Sequence, residues 1–254
     1  MSLTSLSPLD GRYSHKMEIM RSFFSEEALI KSRVKVEIKY VIFLCQVLNQ
    51  STALPFYKKS EEFILNNWNI LYAQRVKKIE SEIHHDVKAV EIFIRETIQD
   101  KFKTDPLFNN SMLEWIHFGL TSQDINHLAF LDLYRDYINY SLEKWNSWVA
   151  SLTTRSSEWM HITMLAKTHG QPATPTTRGH EMMVFIERWN GCLSQLREYK
   201  YRVKFGGATG GLHAHKTVFP NIDWEREMDN FISSFQMKRQ QYTTQIDHYD
   251  PLAE

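Results

Sequence analysis

Three short stretches gather the residue types that move protons and hold anions: "HHDVKAVE" with His84, His85 and Asp86, "IHFGLTSQDIN" with His117, Thr121 and Ser122, and "KTHGQPATPTT" with His169. A histidine gives or takes a proton near neutral pH, and a neighbouring carboxylate orients its ring. Thr121 and Ser122 open a helical pattern. Unpaired backbone donors and partial positive charge at such an N-terminus suit a carboxylate or a phosphate. Taken singly, each stretch also has a plain structural reading. A lone loop histidine bonds to backbone, and Thr121 or Ser122 serves as a helix cap. "GGATGG" lacks the Gly-Lys-Ser/Thr ending of a phosphate loop and reads as a helix stop and turn. "HAH" at 213–215 and "HH" at 84–85 have no third ligand at recognisable spacing, so no metal is expected.

These stretches need elements to position them. From Ser25, a helix N-cap followed by two glutamates, the residues Leu29, Val36, Tyr40, Phe43 and Val47 recur with the period of one helix face, ending near Asn49. A second helix is predicted over about 60–79, and Val87, Val90, Ile94 and Ile98 mark a third. A long helix rich in Leu, Phe and Tyr starts at Thr121 or Ser122 and passes residue 140. Pro172 and Pro175 exclude helix interior around His169, which is read as an irregular loop. The next helix then takes Thr174 as N-cap and Pro175 as first residue, running to about Phe205 with Gly206 as its stop. A short helix is expected near 222–235, and no alternating strand pattern of useful length is present. Long antiparallel helices would bring the three stretches to one rim. The expected class is all-α, with a small N-terminal helical domain over 1–110, "KTDPLFNNS" as its boundary, and the first long helices of an incomplete central bundle over 111–254.

Composition narrows the partners. Thirty basic and thirty acidic residues in 254 cancel, leaving no overall field to recruit nucleic acid or an anionic membrane. No apolar run reaches the roughly 18 residues that span a bilayer, since "VIFLCQVL" is broken at Gln46. Cys45 and Cys192 lie in apolar helical contexts without a disulfide spacing, and a reducing, cytoplasmic setting is expected.

In this order, "SPLDGRY", "HHDVKAVE", "IHFGLTSQDIN", "KTHGQPATPTT" and "YTTQI" resemble the bacterial-type adenylosuccinate lyases of the fumarase/aspartase superfamily, from Ser7 to Ile246. The resemblance implies cleavage of adenylosuccinate to AMP and fumarate, and of the related succinyl-carboxamide ribonucleotide, in purine (AMP and IMP) biosynthesis. It also implies a small-molecule substrate, no cofactor and a homotetramer. By the same resemblance His169 is the general acid at the leaving nitrogen, and His85 and Asp86 orient the substrate's base. Thr121, Ser122 and Gln245 hold the succinyl portion, and Arg12 and Tyr13 bind the phosphate, with His117 a weaker phosphate or ribose contact. His84 joins the substrate-binding group, although relatives more often carry asparagine or arginine there.

The family's base is a serine on a loop of pattern Ser-Ser-x-Met-Pro-x-Lys-x-Asn-Pro, and nothing in the chain matches it. The resemblance is therefore to the N-terminal portion of such an enzyme. Two other readings stand beside it: a different fumarate-releasing lyase, and a non-catalytic helical assembly module. With an acid but no matching base, residues 1–254 by themselves are expected not to turn over adenylosuccinate, because an unassisted carbon-bound proton leaves the rate lower by about 10²–10⁴ or more. Loss of adenylosuccinate absorbance with the purified chain checks this. Turnover within about tenfold of a full-length enzyme would place the base inside the chain.

Overall fold

The computed structural model describes residues 5–253. They form two compact units, 135–200 and the remainder on either side of it. The boundary expected near residue 110 falls inside the larger unit.

In the larger unit a helix over Ser14–Lys16 of 3-10 type leads to α1 (Glu18–Phe24), α2 (Glu26–Val47), α3 (Ala53–Asn66), α4 (Ile70–Ile83) and α5 (Asp86–Phe102). Ser25 caps α2 as expected, its side chain accepting from the Ala28 N–H. The single helix anticipated over 60–79 is two helices, because the chain leaves α3 at Asn67 and Asn69 caps the start of α4. The helix α2 is buried on two sides. Ile30, Val34, Ile38, Val41 and Cys45 pack with α3, α4 and α5, whereas Val36, Tyr40 and Leu44 pack with residues from the start of α6 and from 203–237. The face read from the sequence is the second of these. Neither side dominates the helix, which is why its hydrophobic periodicity understated its burial.

Residue Ser122 opens α6 (Ser122–Glu158). Further on, β3 (Arg202–Val203) pairs in parallel with β4 (Lys238–Arg239), and α8 (His213–Val218) and α9 (Trp224–Ser233) lie between them, with α10 (Asp250–Ala253) last. The helix expected to reach Phe205 stops at Glu198. Residues 203–207 are buried one after another, a pattern that extended backbone enclosed on several sides satisfies and a one-faced helix does not.

The smaller unit holds the later turns of α6, an antiparallel hairpin of β1 (Thr163–Thr168) and β2 (Gln171–Thr177), and α7 (Arg178–Glu198). Val149, Ile186 and Leu193 form its core, with Trp189 against them, and the Trp145 and Trp189 rings stack at 4.7 Å. The run around His169, read as an irregular loop, is this hairpin. Both strands are mostly exposed, so no alternation of apolar residues announced them. Prolines are tolerated because each strand of a two-stranded sheet is an edge. The cap of α7 is Thr177, three residues later than the Thr174 expected, and its side chain accepts from the His180 N–H. No helix among the described residues is long and apolar enough to cross a membrane.

Candidate active site

Two of the three stretches meet within the larger unit. His85 is the N-cap of α5: its Nδ1 accepts from the Lys88 N–H at 3.1 Å. A neutral ring accepting at Nδ1 carries its proton on Nε2. That nitrogen lies 3.5 Å from Ser122 Oγ, so the N-termini of α5 and α6 converge with a donor and a hydroxyl between them. Asp86, the first residue of α5, pairs with Arg33 of α2 at 2.7 Å. His84 ends α4 in the left-handed region, φ 55°, with an exposed side chain. An open cleft beside it is lined by Lys77, Glu80, Ser81, His84, His85 and Asp86.

The start of α6 is fixed from beneath by a buried carboxylate. Asp124 accepts from the Thr121 N–H (2.9 Å), closing the first helical turn. It also accepts from Gly206 N–H (2.9 Å), Gly207 N–H (3.0 Å) and Lys204 Nζ (2.6 Å). Asp124 and Lys204 are both fully buried, and Lys204 Nζ further donates to the Gly207 carbonyl at 2.8 Å. The backbone N–H of Lys204 donates to His127 Nδ1 at 3.0 Å. Burial pushes the His127 ring's pKa down, partly offset by the charge of Asp247.

The segment preceding α6 is similarly held. His117, at φ 63°, meets buried Glu37 with Nδ1 to Oε1 at 2.6 Å. Tyr40 donates its hydroxyl to the Phe118 carbonyl at 2.8 Å and takes a bond from His215 Nε2 at 2.5 Å. Burial lowers the His215 pKa to about 4, against a smaller opposing effect of Asp124. Burial first, then the charges of Asp124 and Glu37, keeps the Tyr40 hydroxyl protonated.

Elsewhere, Arg12 lies over the Tyr13 ring at 5.5 Å, both side chains exposed. Gln245 is exposed in an irregular segment that packs close to Gly210: at φ +82°, a side chain there would run into the Thr243 carbonyl. In the smaller unit, His169 and Gly170 are the two central residues of the hairpin turn. Both have positive φ (51° and 74°), as a tight two-residue connection between twisted strands demands. Gly170 meets that demand at no steric cost, and His169 is exposed at the tip. His213 bonds to Thr209 Oγ1 at 2.7 Å. No group of three or more His, Cys, Asp or Glu side chains that could hold a metal ion occurs among the described residues. Cys45 is buried, its thiol pushed up to about 11 by desolvation, and Cys192 is exposed, neither in a disulfide.

Sequence reasoning missed Asp124, Lys204 and Glu37. Asp124 had a local signal, an acid three residues after Thr121 in the spacing that satisfies a helix start. Lys204 had none, since its partner lies eighty residues away.

Residues 11–254 match the family model described as "Lyase". The adenylosuccinate lyase of Dictyostelium discoideum is 42% identical, the match covering 99% of this chain and 55% of that protein. Those of Haemophilus influenzae and Escherichia coli K12 are 38% and 34% identical, covering 100% of this chain and 55% of each protein. The chain thus spans about half the length of these relatives. Among solved structures, beta-carboxy-cis,cis-muconate cycloisomerase from Acinetobacter calcoaceticus aligns with a TM-score of 0.69 at 17% identity, covering 89% of this chain and 50% of that one. At that identity the likeness concerns the fold alone.

The geometry makes Asp124→Asn costly. It would leave the Lys204 ammonium buried without a counter-charge, and we expect a loss of about 3–5 kcal/mol in urea unfolding. Adding Lys204→Met should recover part of that loss. A single-variant loss below about 1 kcal/mol would show that the pair does not hold the start of α6.

Proposed function

The chain belongs to the lyase family, and on that premise we propose that it carries the acid-bearing portion of an adenylosuccinate lyase, which releases fumarate by β-elimination. The observation that carries the reading is the convergence of two helix N-termini, with His85 facing Ser122 at 3.5 Å. Such a place offers donors to an anion.

The reaction removes a proton from the carbon beside a carboxylate, concentrates negative charge on that carboxylate, and expels nitrogen. Each demand calls for a different group. Thr121 and Ser122 hold a succinyl carboxylate with their hydroxyls and with the backbone donors of the first turn, and Gln245 reaches the same portion. His85 and Asp86 orient the base of the nucleotide, beside His84. Arg12 takes the phosphate with its charged donors, Tyr13 stacking beneath it. His169 protonates the leaving nitrogen, which would otherwise depart as a strongly basic anion. The proton-abstracting base is assigned to no residue of this chain. The same proposal includes the division into an N-terminal domain (1–110) and an incomplete bundle domain (111–254), a homotetrameric whole protein, and a cytoplasmic setting.

His169→Ala in the whole protein should lower turnover by about 10²–10⁴ with a much smaller change in substrate affinity, because the acid acts on charge that develops only in the transition state. Steady-state kinetics measure it. Near-normal turnover would remove His169 from the mechanism and favour another lyase chemistry. Arg12→Ala should instead raise the Michaelis constant by about tenfold or more while turnover changes less, as loss of a charge-assisted contact does. Were the substrate lacking its phosphate to suffer equally in wild type and variant, Arg12 would not be the phosphate's partner.

A further inference from the structure

The carboxylate of Glu37 is wholly buried in the middle of α2. One oxygen holds His117 Nδ1 at 2.6 Å, and the other has no hydrogen-bond partner among the described residues. A buried carboxylate with a vacant oxygen is expensive unless a cation stands against it. The group that can supply such a charge is the His117 ring, in contact with it. Burial of that ring disfavours its charge, but Glu37's charge and hydrogen bond outweigh this, helped by Glu91 of α5 and Asp124 of α6, and its pKa lies above the ordinary histidine value. Glu91 is itself engaged by Lys88 and Arg95, and Asp124 by Lys204, so Glu37 is the partner that is specific to the ring.

The backbone turns sharply at the same residue. With a left-handed φ of 63°, His117 is the third residue of a turn in which the Phe118 N–H returns to the Trp115 carbonyl at 3.2 Å, a position that Gly or Asn would fill with less strain. The side chain keeps one-fifth of its surface exposed, four residues before Thr121. A ring tethered at Nδ1 has one donor left.

We propose, on the functional reading above, that Glu37 is a positioning residue: it tethers the His117 ring through Nδ1 so that Nε2–H donates to an anionic oxygen of the substrate beside Thr121 and Ser122. That oxygen belongs to the phosphate or to a succinyl carboxylate, the shared chemistry being a charge-assisted hydrogen bond.

The test uses the 1–254 chain, with His117 followed by NMR through a pH titration and with AMP, adenosine and fumarate binding measured by calorimetry between about pH 6 and 9. In wild type, the ring titrates above the ordinary value and anion affinity falls as pH rises through that midpoint, since only the charged ring binds. Glu37→Gln keeps the shape and removes the charge. It should move the ring's midpoint down by about one unit or more and weaken anion binding about tenfold at pH 7.5, with the pH of lost affinity moving down in step. Glu37→Asp should recover part of both. An effect on AMP that adenosine does not share assigns the phosphate, and one on fumarate assigns the carboxylate.

An unmoved midpoint, or a moved midpoint with unchanged affinity for both anions, overturns the proposal while the functional reading survives. If the wild type binds none of the three, that reading falls and the anion role of His117 with it, although the titration still reports the pairing. Should Glu37→Gln not fold, His117→Gln replaces it: binding must then lose its pH dependence, and a retained dependence refutes the role.

Discussion

The buried pair of Asp124 and Lys204 is the constraint on which the described site rests. A carboxylate and an ammonium removed from water gain little net stability, because the cost of desolvation offsets their attraction unless every remaining lone pair and proton is used. Here Asp124 is fully used: it accepts from the Thr121 N–H, from two consecutive glycine N–H groups and from Lys204. Its consequence is therefore geometric more than energetic. It fixes the first turn of α6 against the 204–207 segment, eighty residues further along the chain. Thr121 and Ser122 cannot shift without breaking it.

The other half of the scaffold is a buried polar stripe on a helix that also carries two apolar faces. Arg33, Glu37 and Tyr40 stand at i, i+4 and i+7 on α2, the spacing of one helix face. Arg33 reaches Asp86, Glu37 reaches His117, and Tyr40 reaches the Phe118 carbonyl and His215. One rigid element thus grips the start of α5 and the turn before α6, while apolar residues on its remaining surface join two cores. The convergence of His85 with Ser122 follows from this arrangement. Two helix starts tied to neighbouring turns of a third helix end up beside each other.

How legible this was in the sequence depends on how local its cause was. Ser25 as a cap, the helical face of Val36 and Tyr40, and α9 near residues 222–235 rest on neighbours in sequence, and they read correctly. Two of the three motifs also announced residues at helix starts, His85 and Ser122. The hairpin around His169 was missed because exposed strands carry no apolar alternation, and the two prolines that excluded helix were equally compatible with an edge strand. The end of α7 was misread because the burial of residues 203–207 comes from distant partners. Glu37 and Lys204 look like surface charges on helices until Tyr40's neighbourhood and Asp124 enclose them. Long-range pairing of charges leaves no local pattern to read.

Backbone strain points at the same residues from an independent direction. Seven non-glycine residues among those described have positive φ, and three of them are His84, His117 and His169, one from each of the three motif stretches. Histidine tolerates that region better than most side chains, yet asparagine or glycine fills such turns more cheaply. His84 has a sufficient structural reason, since a left-handed residue ends α4 with its N–H returned to the Glu80 carbonyl at 2.7 Å. His117 stands in the turn that follows a 3-10 helix, Asn110–Trp115, with the Phe118 N–H returned to the Trp115 carbonyl at 3.2 Å, whereas His169 ends no helix. At His117 the ring is also bonded to a buried carboxylate, so the strained residue fixes a side chain as well as a turn. At His169 the tight turn would be met by Asn-Gly with no imidazole at all, and the ring projects from the tip of an exposed hairpin. Strain that a cheaper residue would relieve, kept where a ring is presented, argues for the ring itself as what the turn is built to hold.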